Sequence, residues 1–364
     1  MKKSLLSLAL LGLAGTAAQA QNVSIYGIVD AAVERLSNVG AAQASLTRMP
    51  GLTGAVPSRL GFRGSEDLGG GLKAVFTLEQ GFGADAGTTN QGGRTWGRQA
   101  FVGLSGDWGT LSLGRQYSML FWSLLDSDLL GPHMFGSGSL DSYLPNSRVD
   151  NAIAYRGSFN GITLGATYSF GRDSVNAGPS PSGTNCAGES STDSKACRQW
   201  SLLAKYDSKT WGVAAAVDEI RGGAGAFAGL TSSALTDRRS TVNGWVKLDA
   251  LKLGAGLIAR RNQASASTPK SDLWYLGAAY PLTANLVVDA EVFKLDYKDS
   301  SNGATLLALR GTYSLSKRTA VYATAGHIGN DGTLALGVSN AAAGGGPIAG
   351  GSQTGLGAGV RHSF

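Results

Sequence analysis

SRLGFRGSEDLGGGLKAVFTLE, residues 58–79, alternates with a period of two on both sides of a glycine-rich turn. Leu60, Phe62, Leu72, Ala74, Phe76 and Leu78 hold one parity; Arg59, Arg63, Lys73, Thr77 and Glu79 hold the other. Successive side chains of a strand point to opposite faces, so the stretch is a hairpin with one apolar and one charged face. DLGGG supplies the turn chemistry.

The same unit recurs along the chain. Hairpins are expected at 58–65/71–80, 97–105/109–116, 149–157/162–170, 199–207/211–219, 240–249/252–261, 271–280/285–297 and 304–315/318–328, with single strands at 23–35 and 354–364. That makes sixteen strands. Short connections (DLGGG, GDWG, FNG, DSKT, DAL, PLTAN, LSK) alternate with long ones such as 117–147, 171–198, 220–239 and 329–353. Strict alternation describes an up-and-down meander with tight turns at one end. A Greek-key sandwich, the competing all-β reading, does not predict it.

Composition narrows the environment. Residues 1–20, MKKSLLSLALLGLAGTAAQA, carry two lysines, an apolar run and a small-x-small site at Ala18–Ala20, the pattern of a cleaved signal peptide. Cleavage there leaves residues 21–364 as a single domain. No later apolar run reaches the roughly 18 residues of a spanning helix. Charged residues are only 15% of the chain, and glycines number 54, about twice ordinary usage.

Several strands carry apolar residues on one parity and polar ones on the other. In 109–114, Leu111 and Leu113 oppose Thr110 and Ser112; in 285–297, Leu286, Val288, Ala290, Val292 and Leu295 oppose Asp289, Glu291, Lys294 and Asp296, with an irregularity expected near Phe293. Aromatics fall near strand ends, among them Trp108, Tyr155, Trp211, Tyr275, Tyr280, Tyr297, Tyr313 and Tyr322. Apolar-out, polar-in strands bounded by aromatics are the pattern of a transmembrane β-barrel. Closure leaves no unpaired edge in lipid. Sixteen strands enclose an aqueous channel, where eight would be filled by side chains.

Catalytic chemistry finds little support. His133, His327 and His362 share no strand or loop, and no metal cluster or phosphate-binding loop is present in the sequence. No cofactor and no nucleic-acid partner are expected. Cys186 and Cys197, in a Gly/Ser-rich loop of an exported chain, are expected to pair as a disulfide.

SIYGIVDAAVE (24–34), the opening hairpin, RQAFVGLSGDWGTLSLGRQYS (98–118), RVDNAIAYRG (148–157) and GVRHSF (359–364) together resemble the general diffusion porins of the Gram-negative outer membrane, in their betaproteobacterial form. The resemblance spans the mature chain. It implies a sixteen-stranded antiparallel barrel, a homotrimer among outer-membrane lipid and lipopolysaccharide, and a third loop, 117–147, folded into the lumen as a constriction. The solutes are small hydrophilic molecules and ions. Terminal Phe364 looks like the signal read by the outer-membrane assembly machinery.

The resemblance also assigns charges. Arg59, Arg98, Arg115 and Arg148 match the basic side of the constriction; Asp126, Asp128 and Asp141 would be acids of the infolded loop. Alternation turns Arg59 toward the lumen, but Arg98 shares the parity of Val102 and Leu104, and Arg115 that of Leu111 and Leu113. Each of these two is left open between lumen and rim, and Arg115 needs a bulge or a strand end to turn inward. Where many members carry PEFG at the loop tip, this chain has GPHMFG, with His133 near the glutamate's place. Losing that acid implies anion preference, increasing at lower pH if His133 gains charge near about 6.5. A substrate-specific channel for phosphate or organic acids on the same barrel is the alternative.

Overall fold

A computed structural model describes residues 22–144, 147–172, 186–224, 226, 229–267 and 269–364. The expected signal segment, residues 1–20, lies outside them. The strands, in chain order, are β1 Asn22–Val39, β2 Ala44–Arg48, β3 Arg59–Gly69, β4 Leu72–Gly81, β5 Gln99–Gly106, β6 Gly109–Tyr117, β7 Arg148–Phe159, β8 Ile162–Ser169, β9 Gln199–Asp207, β10 Trp211–Arg221, β11 Thr236–Leu248, β12 Leu251–Asn262, β13 Lys270–Pro281, β14 Leu286–Tyr297, β15 Gly303–Ser314, β16 Thr319–Asp331 and β17 Ser352–Ser363.

All belong to one antiparallel sheet, and it closes: β17 pairs with both β16 and β1. At the seam Gly27 and Phe364 exchange both backbone hydrogen bonds at 3.1 Å. Phe364 also lies where a Cβ on Gly27 would stand, with its Cζ only 2.3 Å away, so the terminal ring needs a glycine there.

The expected sixteen positions are present, with one addition. The sequence pattern did not anticipate β2, which pairs with β1 at residues 34–39, while β3 pairs with β1 at residues 22–28. The two short partners fill one position beside the long β1, giving a sixteen-strand barrel. Between them, residues 49–58 leave the sheet and turn inward: the amides of Ala55 and Val56 donate to Asp30 Oδ2 at 3.1 and 3.0 Å.

Alternation sorts the two faces as expected over most of the wall. Val29, Val33, Val213, Val242, Leu276, Leu307 and Leu356 are exposed on the outside, an apolar band of the kind that faces a bilayer. Near the short turns Trp108 stacks on Tyr155 at 6.4 Å and Tyr206 meets Trp211 at 5.1 Å. The polar-in rule breaks along β13–β16. There is no irregularity near Phe293: pairing of β13 with β14 is continuous, and Phe293 and Leu295 point inward together with Asp289 and Glu291. Tyr275 and Tyr322 are likewise buried inside rather than in a belt.

The reason is the loop after β6, whose residues 118–144 lie inside the barrel and cover that wall. Its first part is a short helix, α1, Met119–Leu124. Met119 N donates to Ser201 Oγ on β9 at 2.9 Å, Ser127 Oγ meets Tyr275 Oη on β13 at 2.7 Å, and Leu130 N donates to Glu291 Oε2 on β14 at 2.9 Å. Met134 N then reaches Gly54 O at 2.9 Å. Wall glycines admit this packing. A Cβ on Gly254 would stand 2.1 Å from the Ser127 carbonyl oxygen, and one on Gly355 2.7 Å from the Phe135 ring. The apolar character of the loop and of β13–β16 is thus one buried interface.

Candidate functional site

Opposite the wall that the loop covers, three of the four matched arginines meet. Glu79 on β4 is buried and organises them. Its Oε1 accepts from Arg98 Nε at 2.7 Å, its Oε2 accepts from Tyr26 Oη at 3.0 Å, and Arg59 Nε stands 3.8 Å from Oε2. A second bridge extends the cluster: Tyr117 Oη accepts from Arg98 Nη2 at 2.8 Å and from Arg148 Nη2 at 3.2 Å. The Arg148 guanidinium also lies 4.9 Å from the Tyr117 ring centroid, and Phe121 of α1 stacks on that ring at 4.2 Å. The ladder Arg59–Arg98–Arg148 therefore touches the infolded loop through Tyr117.

Arg98 turns inward despite its parity because it precedes β5, where its amide donates to the Glu79 carbonyl and its side chain follows Glu79 into the lumen. Arg115 does not join the ladder. The β6–β7 register shifts between Gly114 and Gln116, with Asn151 at φ 49°, so the bulge sits on β7 rather than at Arg115. Arg115 pairs across from Ala100, and its guanidinium is spent on Asp150 Oδ1 at 2.5 Å and the Gly97 carbonyl at 2.8 Å.

The loop acids are placed against the wall and the loop itself. Asp126 meets Lys205 of β9. Asp128 is buried, accepting from Gly131 N at 2.8 Å, Ser137 Oγ at 2.8 Å and Tyr143 Oη at 3.1 Å; burial pushes its carboxyl above the usual range. Asp141 accepts from Arg239 Nε at 2.8 Å, in a pair whose side chains are 1% and 4% exposed, and Arg260 adds a second cation at 3.8 Å. None of these carboxylates reaches the Glu79–Tyr117 cluster.

His133 corrects an expectation. It is fully buried, Phe135 N donates to its Nδ1 at 3.1 Å, and burial together with the Arg310 charge pushes it down to about 3. It is neutral near neutral pH and takes no part in a pH-dependent lumen charge. Cys186 and Cys197 form the expected disulfide, in the part of loop 171–198 that is described; residues 173–185 lie outside the described residues.

Glu79, Tyr26, Tyr117 and Arg239 carry the site's structure and were not singled out by the sequence. Glu79 was visible only as a lumen-parity charge. Tyr117 carried no signal, because its role depends on the chain leaving the sheet immediately after it.

A closed barrel with an apolar outer band, a charged inner wall and an infolded loop is a membrane channel of the outer-membrane type. The Gram-negative porin family model matches residues 6–333. Outer membrane porin protein 32 of Delftia acidovorans is 31% identical over the whole of both chains. An outer membrane porin protein of Bordetella pertussis is 30% identical, covering 79% of this chain and 74% of its own. Among solved structures, the anion-selective porin from Comamonas acidovorans superposes with a TM-score of 0.74 at 27% identity, over 94% of this chain and all of the other. OmpT of Vibrio cholerae shares the fold, with a TM-score of 0.64 at 15% identity. The chain belongs to the Gram-negative porin family and is an outer-membrane porin.

Proposed function

We propose that the pore passes ions and small hydrophilic solutes passively and prefers anions. The observation that carries this is the charge count of the ladder: Arg59 and Arg98 share one carboxylate, Glu79, while Arg148 meets only the Tyr117 hydroxyl and ring, which leaves an excess of two positive charges beside the loop. The loop offers no acidic counter-face, since Asp126, Asp128 and Asp141 are bound elsewhere. Two further inward acids on the wall are paired with cations, Asp289 with Arg310 at 2.9 Å and Asp237 with Arg260 at 2.7 Å. Charged rings sort ions by sign, and within a narrow passage this excess attracts anions and repels cations. The anion-selective description of the Comamonas relative supports the same sign.

Arg59, Arg98 and Arg148 are on this reading the selective face, and loop 117–147 the constriction. Arg115 serves as a rim support and the three loop aspartates as ties that hold the loop. A homotrimer, the cleavage of residues 1–20 and recognition of Phe364 during assembly complete the proposal; the solved structures that resemble the chain include a trimer form of OmpT. No catalytic step is assigned. In planar bilayers, replacing chloride by a bulky organic anion is expected to cut conductance more than replacing potassium by a bulky cation of similar size. The opposite order would refute the anion reading.

A further inference from the structure

Beneath the ladder, on the side of the short turns, the lumen holds a cavity of about 430 Å³ lined in part by Arg63, Phe101, Gln116, Trp122 and Arg156. Its chemistry differs from that of the ladder. The guanidinium groups of Arg63 and Arg156 form no ion pair and no hydrogen bond with any described residue, and each lies over an aromatic ring: Arg63 at 5.2 Å from Tyr26, Arg156 at 3.9 Å from Trp122. Stacking on a ring fixes a guanidinium without consuming its N–H edges, which is the geometry that presents a fork to a carboxylate.

Phe101 supplies the second observation. It shares the lumen-facing row with Thr77, its partner on β4, among polar neighbours such as Gln99 and Thr110. The covering loop explains the inward Phe293 and Leu295, but Phe101 lines open cavity instead. With Val75, Met119 and Trp122 also lining the cavity, the Phe101 ring belongs to an apolar strip beside the two cations, which suits the face of a planar, partly apolar solute. The volume is within the usual range for small-molecule sites, about 300–1,000 Å³.

We propose that this cavity is a binding station for small aromatic carboxylates, with Arg156 receiving the carboxylate, Phe101 the ring, and Arg63, on β3, adding positive charge at the other side of the cavity. It rests on the channel reading above and extends it from ions to one class of solute. An anion drawn through the ladder from outside would be held here before release toward the short-turn end.

The test is block of potassium chloride current through single pores by benzoate, against acetate and cyclohexanecarboxylate as probes of equal charge. Wild-type pores are expected to be blocked by benzoate at concentrations at least about threefold lower than by cyclohexanecarboxylate, because only the former has a π face. Phe101→Ser and Arg156→Gln should each raise the half-blocking benzoate concentration about tenfold, equivalent to about 1.4 kcal/mol for one ring or cation contact. Heat-modifiable migration in detergent gels selects folded pores, and the two variants are independent should one fail to fold. Equal block by benzoate and cyclohexanecarboxylate in the wild type would overturn the proposal, as would folded variants that keep the wild-type benzoate value. Neither result touches the channel reading, which stands on the chloride current itself.

Discussion

Glu79 sets the charge of the narrow passage while holding its arginines in place. Removing its charge and removing one of its arginines should therefore move selectivity in opposite directions. Glu79→Gln raises the ladder's excess from two positive charges to three and is expected to increase the chloride-to-potassium permeability ratio. Arg148→Gln lowers the excess to one and should reduce the ratio severalfold, since a unit charge within a few ångströms in partly excluded water is worth about 1 kcal/mol or more. Arg148 is the better choice than Arg98, because losing Arg98 strands the buried Glu79 carboxylate. His133 gives the pH prediction. Held neutral down to about 3, it leaves ion selectivity unchanged between pH 8 and pH 5. Its effect falls on stability: the unfolded imidazole takes a proton near about 6.5 while the buried one resists, so the contribution is fully present above that value. It is lost as pH falls toward 3. Acid-pulse proteolysis should cut the loop of the wild type below about pH 5 more readily than that of His133→Asn. Equal cutting would contradict this.

Loop 118–147 is the element on which the passage depends, and charge ties it at its return leg. Arg239 and Asp141 form a buried pair there, with Asp237 and Arg260 completing the group. Breaking such a pair by removing one partner costs about 3–5 kcal/mol. Arg239→Ala is thus expected to loosen the loop while leaving the barrel closed, producing larger and noisier single-channel currents and earlier proteolysis between residues 126 and 144. The scale of elements is also where the sequence was most and least informative. Period-two alternation with tight turns located nearly every strand, because in a barrel one face meets lipid and the other water, and both leave a mark on composition. It failed at β2, whose five residues are too few for a period, and at Phe293, Leu295, Tyr275 and Tyr322. There the inner wall meets a loop instead of water, so inward residues read as outward ones. The infolding of the loop came from the family resemblance, and which wall it covers is a long-range fact. For the same reason the loop aspartates could be recognised as loop residues but not assigned to the wall cations that neutralise them.

At the level of the whole molecule, barrel closure and the sign of the lumen charge decide what the protein does. Closure rests on the seam where Phe364 pairs with Gly27 and places its ring over it. Gly27→Val would drive a side chain into that ring, and Phe364→Ala would remove the ring. Both are expected to lower the folded fraction in detergent and the temperature at which the barrel band converts to the unfolded one. A Gly27→Val, Phe364→Ala double variant should lose less than the sum of the two, because the ring is the nearest obstacle to the new side chain at 2.3 Å, although the Arg59 carbonyl oxygen, 2.8 Å from such a Cβ, keeps part of the cost in the double variant. Full additivity would show that the seam contact is not what the two residues share. The charge of the lumen is tested on the intact pore. Under a tenfold potassium chloride gradient across a planar bilayer, the zero-current potential of the wild-type channel is predicted to carry the sign set by chloride. A potential of the sign set by potassium would contradict the account at its centre.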